Sequence, residues 1–138
     1  MNHASFSLDP RLATDTLPVA EWPLCQVLLI DDARFPWLVL VPRRAGASEI
    51  IDLAADDRRQ LSAEIDRAAA ALRRTVPCHK LNIGALGNVV AQLHVHVIAR
   101  TRTDAAWPKP VWAHGTAEGY DAAVAADLVR RLQAAFAG

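Results

Sequence analysis

Apolar residues recur in two rhythms along the chain. In Gln92-Leu93-His94-Val95-His96-Val97-Ile98 polar and branched apolar residues alternate with period two, the pattern of a β-strand. The alternation puts Gln92, His94 and His96 on one face and Leu93, Val95 and Val97 on the other. Residues 24–30 and 37–41 are short, nearly continuous apolar runs, as expected of strands covered on both sides. The first stops at Asp31-Asp32 and the second at Pro42, and the short loop between them predicts antiparallel pairing. Residues 79–83 predict a further strand. Asp9-Pro10 and Leu17-Pro18 limit residues 6–20 to a helical turn and an edge strand.

The second rhythm is helical. Leu61, Ile65, Ala68, Ala69, Leu72 and Val76 recur at three- and four-residue spacing, with Arg58, Arg59, Glu64, Arg67 and Arg73 assigned to the opposite, solvated face. Asp56 and Asp57 suit the positive end of this helix, Arg73 and Arg74 the negative end, and Pro77 stops it. Val124, Leu128, Leu132 and Phe136 predict a last helix over about 121–136. The order predicts an α+β fold: one domain spanning 1–138, with a mainly antiparallel five-stranded sheet and two principal helices. Between the last strand and last helix, residues 101–118 contain Trp107-Pro108-Lys109-Pro110-Val111-Trp112, which cannot be regular helix. This segment is expected as a structural or dimer element ahead of a substrate wall.

Length and charge narrow the functions. At 138 residues the chain suits one domain with a real core. Fifteen basic and fifteen acidic residues balance, so no electrostatic footprint of a nucleic-acid partner is present, while a small anionic ligand stays open. Cys25 and Cys78 lack the spacing of a zinc ribbon or a disulfide framework and are expected as reduced thiols in or near the core. Met1 to Asp9 shows no basic start followed by an apolar run, and no stretch approaches a membrane span, so a cytoplasmic protein is the expectation.

The chemistry concentrates on the two histidines. Neighbours on one strand face are about 7 Å apart, so both imidazoles can converge on one small group. Three roles fit. Both histidines can sit in a satisfied polar patch. They can supply two zinc ligands, with a third from His79 or His114, or less readily from Cys78 or Asp31, though no spacing commends these. Or they can do covalent chemistry on phosphorus, in which His94 attacks and His96 donates a hydrogen bond or proton. The loop Gly84-Ala85-Leu86-Gly87-Asn88, just ahead, offers backbone N–H groups for the phosphoryl oxygens, and this scheme needs neither metal nor cofactor.

At these residues the sequence resembles the histidine triad superfamily of nucleotide hydrolases and transferases, whose signature is His-x-His-x-His-x-x with x apolar. Gln92 stands in the first histidine's place. Asn82 followed by Gly87-Asn88 is similar to the family's phosphate-side loop, and Asp31-Asp32 followed by residues 35–42 to its nucleoside-side strand pair. The resemblance covers about residues 24–100. It implies that His94 forms a nucleotidyl-histidine intermediate and that His96 binds phosphate and assists the leaving group. It further implies that Asn82 and Asn88 contact phosphate or ribose, that Asp31 or Asp32 faces the ribose hydroxyls, and that two subunits pair as a homodimer. Trp37 lies near the place of a fourth histidine common in the family. Gln92 with the Trp-Pro-x-Pro-Val-Trp segment looks like a bacterial branch labelled dinucleoside polyphosphate hydrolase. The expected function is hydrolysis of a nucleotide phosphoanhydride or phosphoramidate. The alternative is a nucleotide-binding module with little or no catalysis.

Overall fold

The computed structural model describes residues 6–137. Met1–Ser5, part of the stretch read for a leader, lie outside the described residues, as does Gly138. The elements run α1 (Pro10–Asp15), β1 (Thr16–Glu21), β2 (Cys25–Ile30), β3 (Trp37–Pro42), α2 (Ala55–Thr75), β4 (Lys80–Gly84), β5 (Val95–Arg100) and α3 (Ala122–Phe136), with a 3-10 turn at Ile50–Asp52. The five strands form one sheet in the order β1-β2-β3-β5-β4, every neighbouring pair antiparallel. This is the expected α+β architecture, with a short helix ahead of β1.

The central strand β3 is buried along its whole length, which explains its unbroken apolar run. Its alternate residues serve two cores. Leu38 and Leu40 join Val27, Leu29, Val95 and Val97 beneath α2 and α3, where Leu61, Leu72 and Leu132 fill the layer. Trp37, Val39 and Val41 face the other way, with Leu28, Phe35 and Ile98, under Leu12, Ala106 and Val111. One face of the sheet is therefore covered by the long helices α2 and α3 and the other by the short α1 and irregular chain.

Two sequence readings need correction. Glu64 does not belong to the solvated face of α2: it is 3% exposed, and its carboxylate accepts the Leu24 and Cys25 N–H groups at 3.0 and 2.8 Å, with Gln60 Nε2 at 2.7 Å. It follows Leu61 by three residues and precedes Ala68 by four, so helical geometry puts it on the buried stripe, where it satisfies the free end of β2. Arg67 does reach solvent, yet its guanidinium lies 4.4 Å from the Trp22 ring and donates to the Phe136 carbonyl. The second correction concerns the last strand, which begins at Val95 and not at Gln92. Residues 92–94 approach the strand without a place in its ladder.

Candidate active site

β5 carries His96, Ile98 and Arg100 on the face turned away from α2. His96 is flanked in register by Val39 on β3 and Gly84 on β4. Gly84 faces the Trp112 ring, whose Cη2 would lie 3.8 Å, an ordinary contact distance, from a Cβ at this position. His94 stands just ahead of the strand. Its ring meets that of His96 edge to face, with centroids 4.9 Å apart, and both residues are buried.

Hydrogen bonds fix the two imidazoles as opposite tautomers. His94 Nδ1 lies 2.7 Å from the Gln92 carbonyl oxygen, which can only accept, so Nδ1 carries a proton and the neutral form of the ring has its lone pair on Nε2. His96 Nδ1 lies 2.9 Å from Trp37 Nε1, which can only donate, so here Nδ1 accepts and the proton resides on Nε2. One ring offers a nucleophilic nitrogen and the other a donor. Burial, and next the proximity of His94, push His96 down to about 4, so it is neutral at physiological pH. Trp112 packs 5.3 Å from His96 and 6.4 Å from Trp37, and its indole N–H is buried without a partner among the described residues.

Beyond Trp37 lies a cleft of about 400 Å³ lined by Asp31, Asp32, Arg34, Val111 and His114, with Trp37 as its link to His96. Neither His94 nor His96 lines it. Asp32 is 2% exposed and pairs with Arg34 through both oxygens, at 3.0 and 2.8 Å. Burial opposes its ionisation, but Arg34 and the N–H groups of Arg34 and Glu118 outweigh that and lower its pKa. Asp31 Oδ1 accepts the Tyr120 N–H at 2.8 Å. These bonds, and that from Arg34 to the His114 carbonyl at 2.7 Å, bring the segment after Trp112 across the cleft. The tryptophan- and proline-rich segment is thus structural in packing on its own chain, and it walls the cleft as well.

The predicted site residues separate into groups. His94 and His96 are together, and Asp31 and Asp32 share the cleft next to Trp37. Gly87 has φ of +71°, the left-handed backbone that favours glycine, and Asn88 is exposed in the same loop ahead of His94. Gln92 turns its amide to the N-terminal segment, accepting from Asp9 N and donating to the Ser7 carbonyl, both at 2.8 Å. Asn82 Oδ1 accepts from Arg100 at 2.9 Å. Of the residues weighed as third metal ligands, His79 accepts from Arg102 Nε at 3.1 Å, while His114 lines the cleft. Among the described residues no group of three His, Cys, Asp or Glu side chains is placed to hold a metal ion.

Arg100 carries no sequence signal, yet it is 1% exposed and organises this region. It pairs with Asp104 through two nitrogens at 2.7 and 3.0 Å, donates to Asn82 and the Lys109 carbonyl, and lies over the Phe35 and Trp107 rings. Burial opposes ionisation of Asp104, but Arg100 and the N–H groups of Ala106, Thr101 and Trp107 prevail and hold it at about 2.

The residues matched by the family model described as HIT domain run from 12 to 103, two thirds of the chain, and include both histidines, Trp37 and the two aspartates. The chain belongs to the HIT domain family. Among solved structures, a histidine triad protein from Bradyrhizobium japonicum is 48% identical, with a TM-score of 0.93 over 95% of this chain and 98% of that one. A histidine triad (HIT) protein from Sinorhizobium meliloti is 43% identical, with a TM-score of 0.94 over 96% and 98% of the two chains. A histidine triad protein from Marinobacter aquaeolei is 38% identical, with a TM-score of 0.93 over 96% of each chain. No curated protein matches the sequence. The structural matches extend past residue 103, where the family match ends. No helix among the described residues is long and apolar enough to cross a membrane.

Proposed function

We propose that this HIT domain hydrolyses a nucleotide phosphoanhydride or phosphoramidate through a covalent nucleotidyl-His94 intermediate, without a metal. The observation that carries the reading is the pair of opposite tautomers. In the neutral His94 ring Nε2 carries the free lone pair, since Nδ1–H is held by the Gln92 carbonyl, and His96, whose ring centroid lies 4.9 Å from that of His94, offers its Nε2–H to a phosphoryl oxygen. The loop bearing Gly87 and Asn88 supplies backbone donors to the phosphate, and the buried Trp112 N–H is a further donor. The nucleoside occupies the cleft beside Trp37. Asp32 has both oxygens committed to Arg34, whereas one oxygen of Asp31 accepts a single N–H, so Asp31 is the carboxylate assigned to ribose. Two subunits pair, and the exposed Ile83, Leu86 and Val89 on and after edge strand β4 supply an apolar contact.

The test is acid-quenched mass spectrometry during turnover of an adenylylated substrate. Wild type accumulates an adenylyl adduct on His94, and His94→Ala loses at least about a thousandfold in kcat while keeping its unfolding midpoint. EDTA leaves the rate unchanged. Turnover retained by His94→Ala overturns the mechanism. Saturable nucleotide binding without product, at high protein concentration, replaces it with a binding module.

A further inference from the structure

We infer that Trp37 restricts this site to substrates whose leaving group departs as a stable anion, that is phosphoanhydrides and mixed carboxylic anhydrides of nucleotides, and excludes amine leaving groups. The inference rests on the reading of His94 as nucleophile and narrows it. Its basis is the hydrogen bond from Trp37 Nε1 to His96 Nδ1 at 2.9 Å. An indole N–H has no acceptor capacity and no accessible deprotonated form, so it fixes Nδ1 as an acceptor permanently. Trp37 and Trp112, at 5.6 and 5.3 Å from the His96 ring, confine it, and the backbone of Val39 and Gly84 flanks it in the sheet. His94 is the titratable side chain in ring contact with it.

A second proton on Nδ1 would set two donors against each other, and burial among these rings disfavours the cation as well. His96 therefore holds one ring proton, on Nε2. It can share that proton with an oxygen in a hydrogen bond, but giving it up would leave an imidazolate, which is not accessible near neutral pH. His96 is a hydrogen-bond donor that cannot serve as a general acid.

The consequence follows from the electron count. The His94 Nε2 lone pair forms the bond to the α-phosphorus, the bond from phosphorus to the leaving group breaks, and its electron pair stays on the departing atom. A phosphate or carboxylate oxygen holds that pair as an ordinary anion. An amine nitrogen must gain a proton as the bond breaks, and neither His96 nor Trp37 has one to give. In the second half, water oxygen attacks phosphorus, the bond to Nε2 breaks with its pair returning to His94, and the water proton passes to solvent. The second step is common to both substrate classes, so discrimination lies in the first.

The experiment compares diadenosine pyrophosphate with an N-alkyl phosphoramidate of adenosine 5′-monophosphate, in wild type and Trp37→Phe. Wild type favours the anhydride by at least about a hundredfold in kcat/KM, the lower range of general-acid contributions. Trp37→Phe frees Nδ1 and narrows that ratio at least about tenfold, through kcat on the phosphoramidate. In wild type, ¹⁵N NMR shows His96 with Nδ1 unprotonated and no titration between pH 5 and 8. Equal use of both compounds by wild type, or a protonated Nδ1, overturns the inference while leaving the His94 mechanism intact. If neither compound yields AMP and no adduct forms on His94, the hydrolase reading fails and takes this inference with it. Should Trp37→Phe not fold, the wild-type spectrum and the wild-type ratio decide.

Discussion

The two faces of the sheet are built on different principles. Under α2 and α3 the packing is aliphatic and alanine-rich, and Ala68, Ala71 and Leu72 are fully buried. On the other face the cover is α1 and irregular chain, and beside aliphatic residues such as Val39, Val41 and Ile98 it buries polar and aromatic ones: His94, His96, Asp32, Arg100, Phe35 and Trp37. Apart from the buried Glu64 carboxylate, the helical face gains its stability from area removed from water, which is indifferent to direction. The opposite face depends on directional bonds, each holding the next, and it is there that both histidines receive a defined tautomer. Regular helices above β5 would have left no room for such bonds or for a ligand.

That contrast can be broken by substitution. The largest effect is expected at Arg100→Met, which leaves the Asp104 carboxylate on backbone N–H groups without its cation: loss of one member of a buried pair costs about 3–5 kcal/mol. Urea unfolding should show that loss, and KM for a nucleotide substrate should rise with it, because Arg100 also holds the Lys109 carbonyl and so the segment that walls the cleft. Leu72→Ala on the helical face should cost about 3 kcal/mol through its cavity, with KM unchanged. If Leu72→Ala raises KM as much as Arg100→Met does, the two faces are not separable.

The smallest effect is acid sensitivity confined to the site face. Asp104 titrates at about 2 in the folded chain against an ordinary 3.8, so its stabilisation is whole above pH 4 and is lost as pH falls towards 2. His96, held at about 4 against an ordinary 6.5, has the same sign: between those values the unfolded chain takes up the proton first, and stability falls as pH drops. On the size of these shifts Asp104 contributes roughly 2 kcal/mol and His96 roughly 3. Urea midpoints from pH 7 to 2 should decline in two stages, with His96→Gln flattening the upper and Asp104→Asn the lower. A curve unchanged in both variants would sever this link.

The helical face was the legible one. Its residues repeat at spacings the helix imposes, so α2, α3 and the apolar runs of β2 and β3 were readable from pattern. Glu64 was misassigned although its spacing from Leu61 and Ala68 marked it as inward, because charge was given more weight than period. On the site face, residue type singled out His94 and His96, and the family resemblance Asp31 and Asp32; the structure places the first two in ring contact and the second two in the cleft beside Trp37. Arg100 and Asp104 left no pattern, since their pairing arises where the chain leaves β5 for irregular structure. Gln92 kept the alternation of a strand without being in one: its amide is drawn to Ser7 and Asp9, more than eighty residues away in sequence. Periodicity cannot report such a partner.

The indoles also divide unequally between the faces. Trp22 alone lies with α2 and α3, against Phe136, whereas Trp37 and Trp112 stand edge to face at 6.4 Å beside His96, and Trp107 closes over Arg100. An unlabelled sample therefore carries three of its four indoles near the site and one, Trp22, in the helical core.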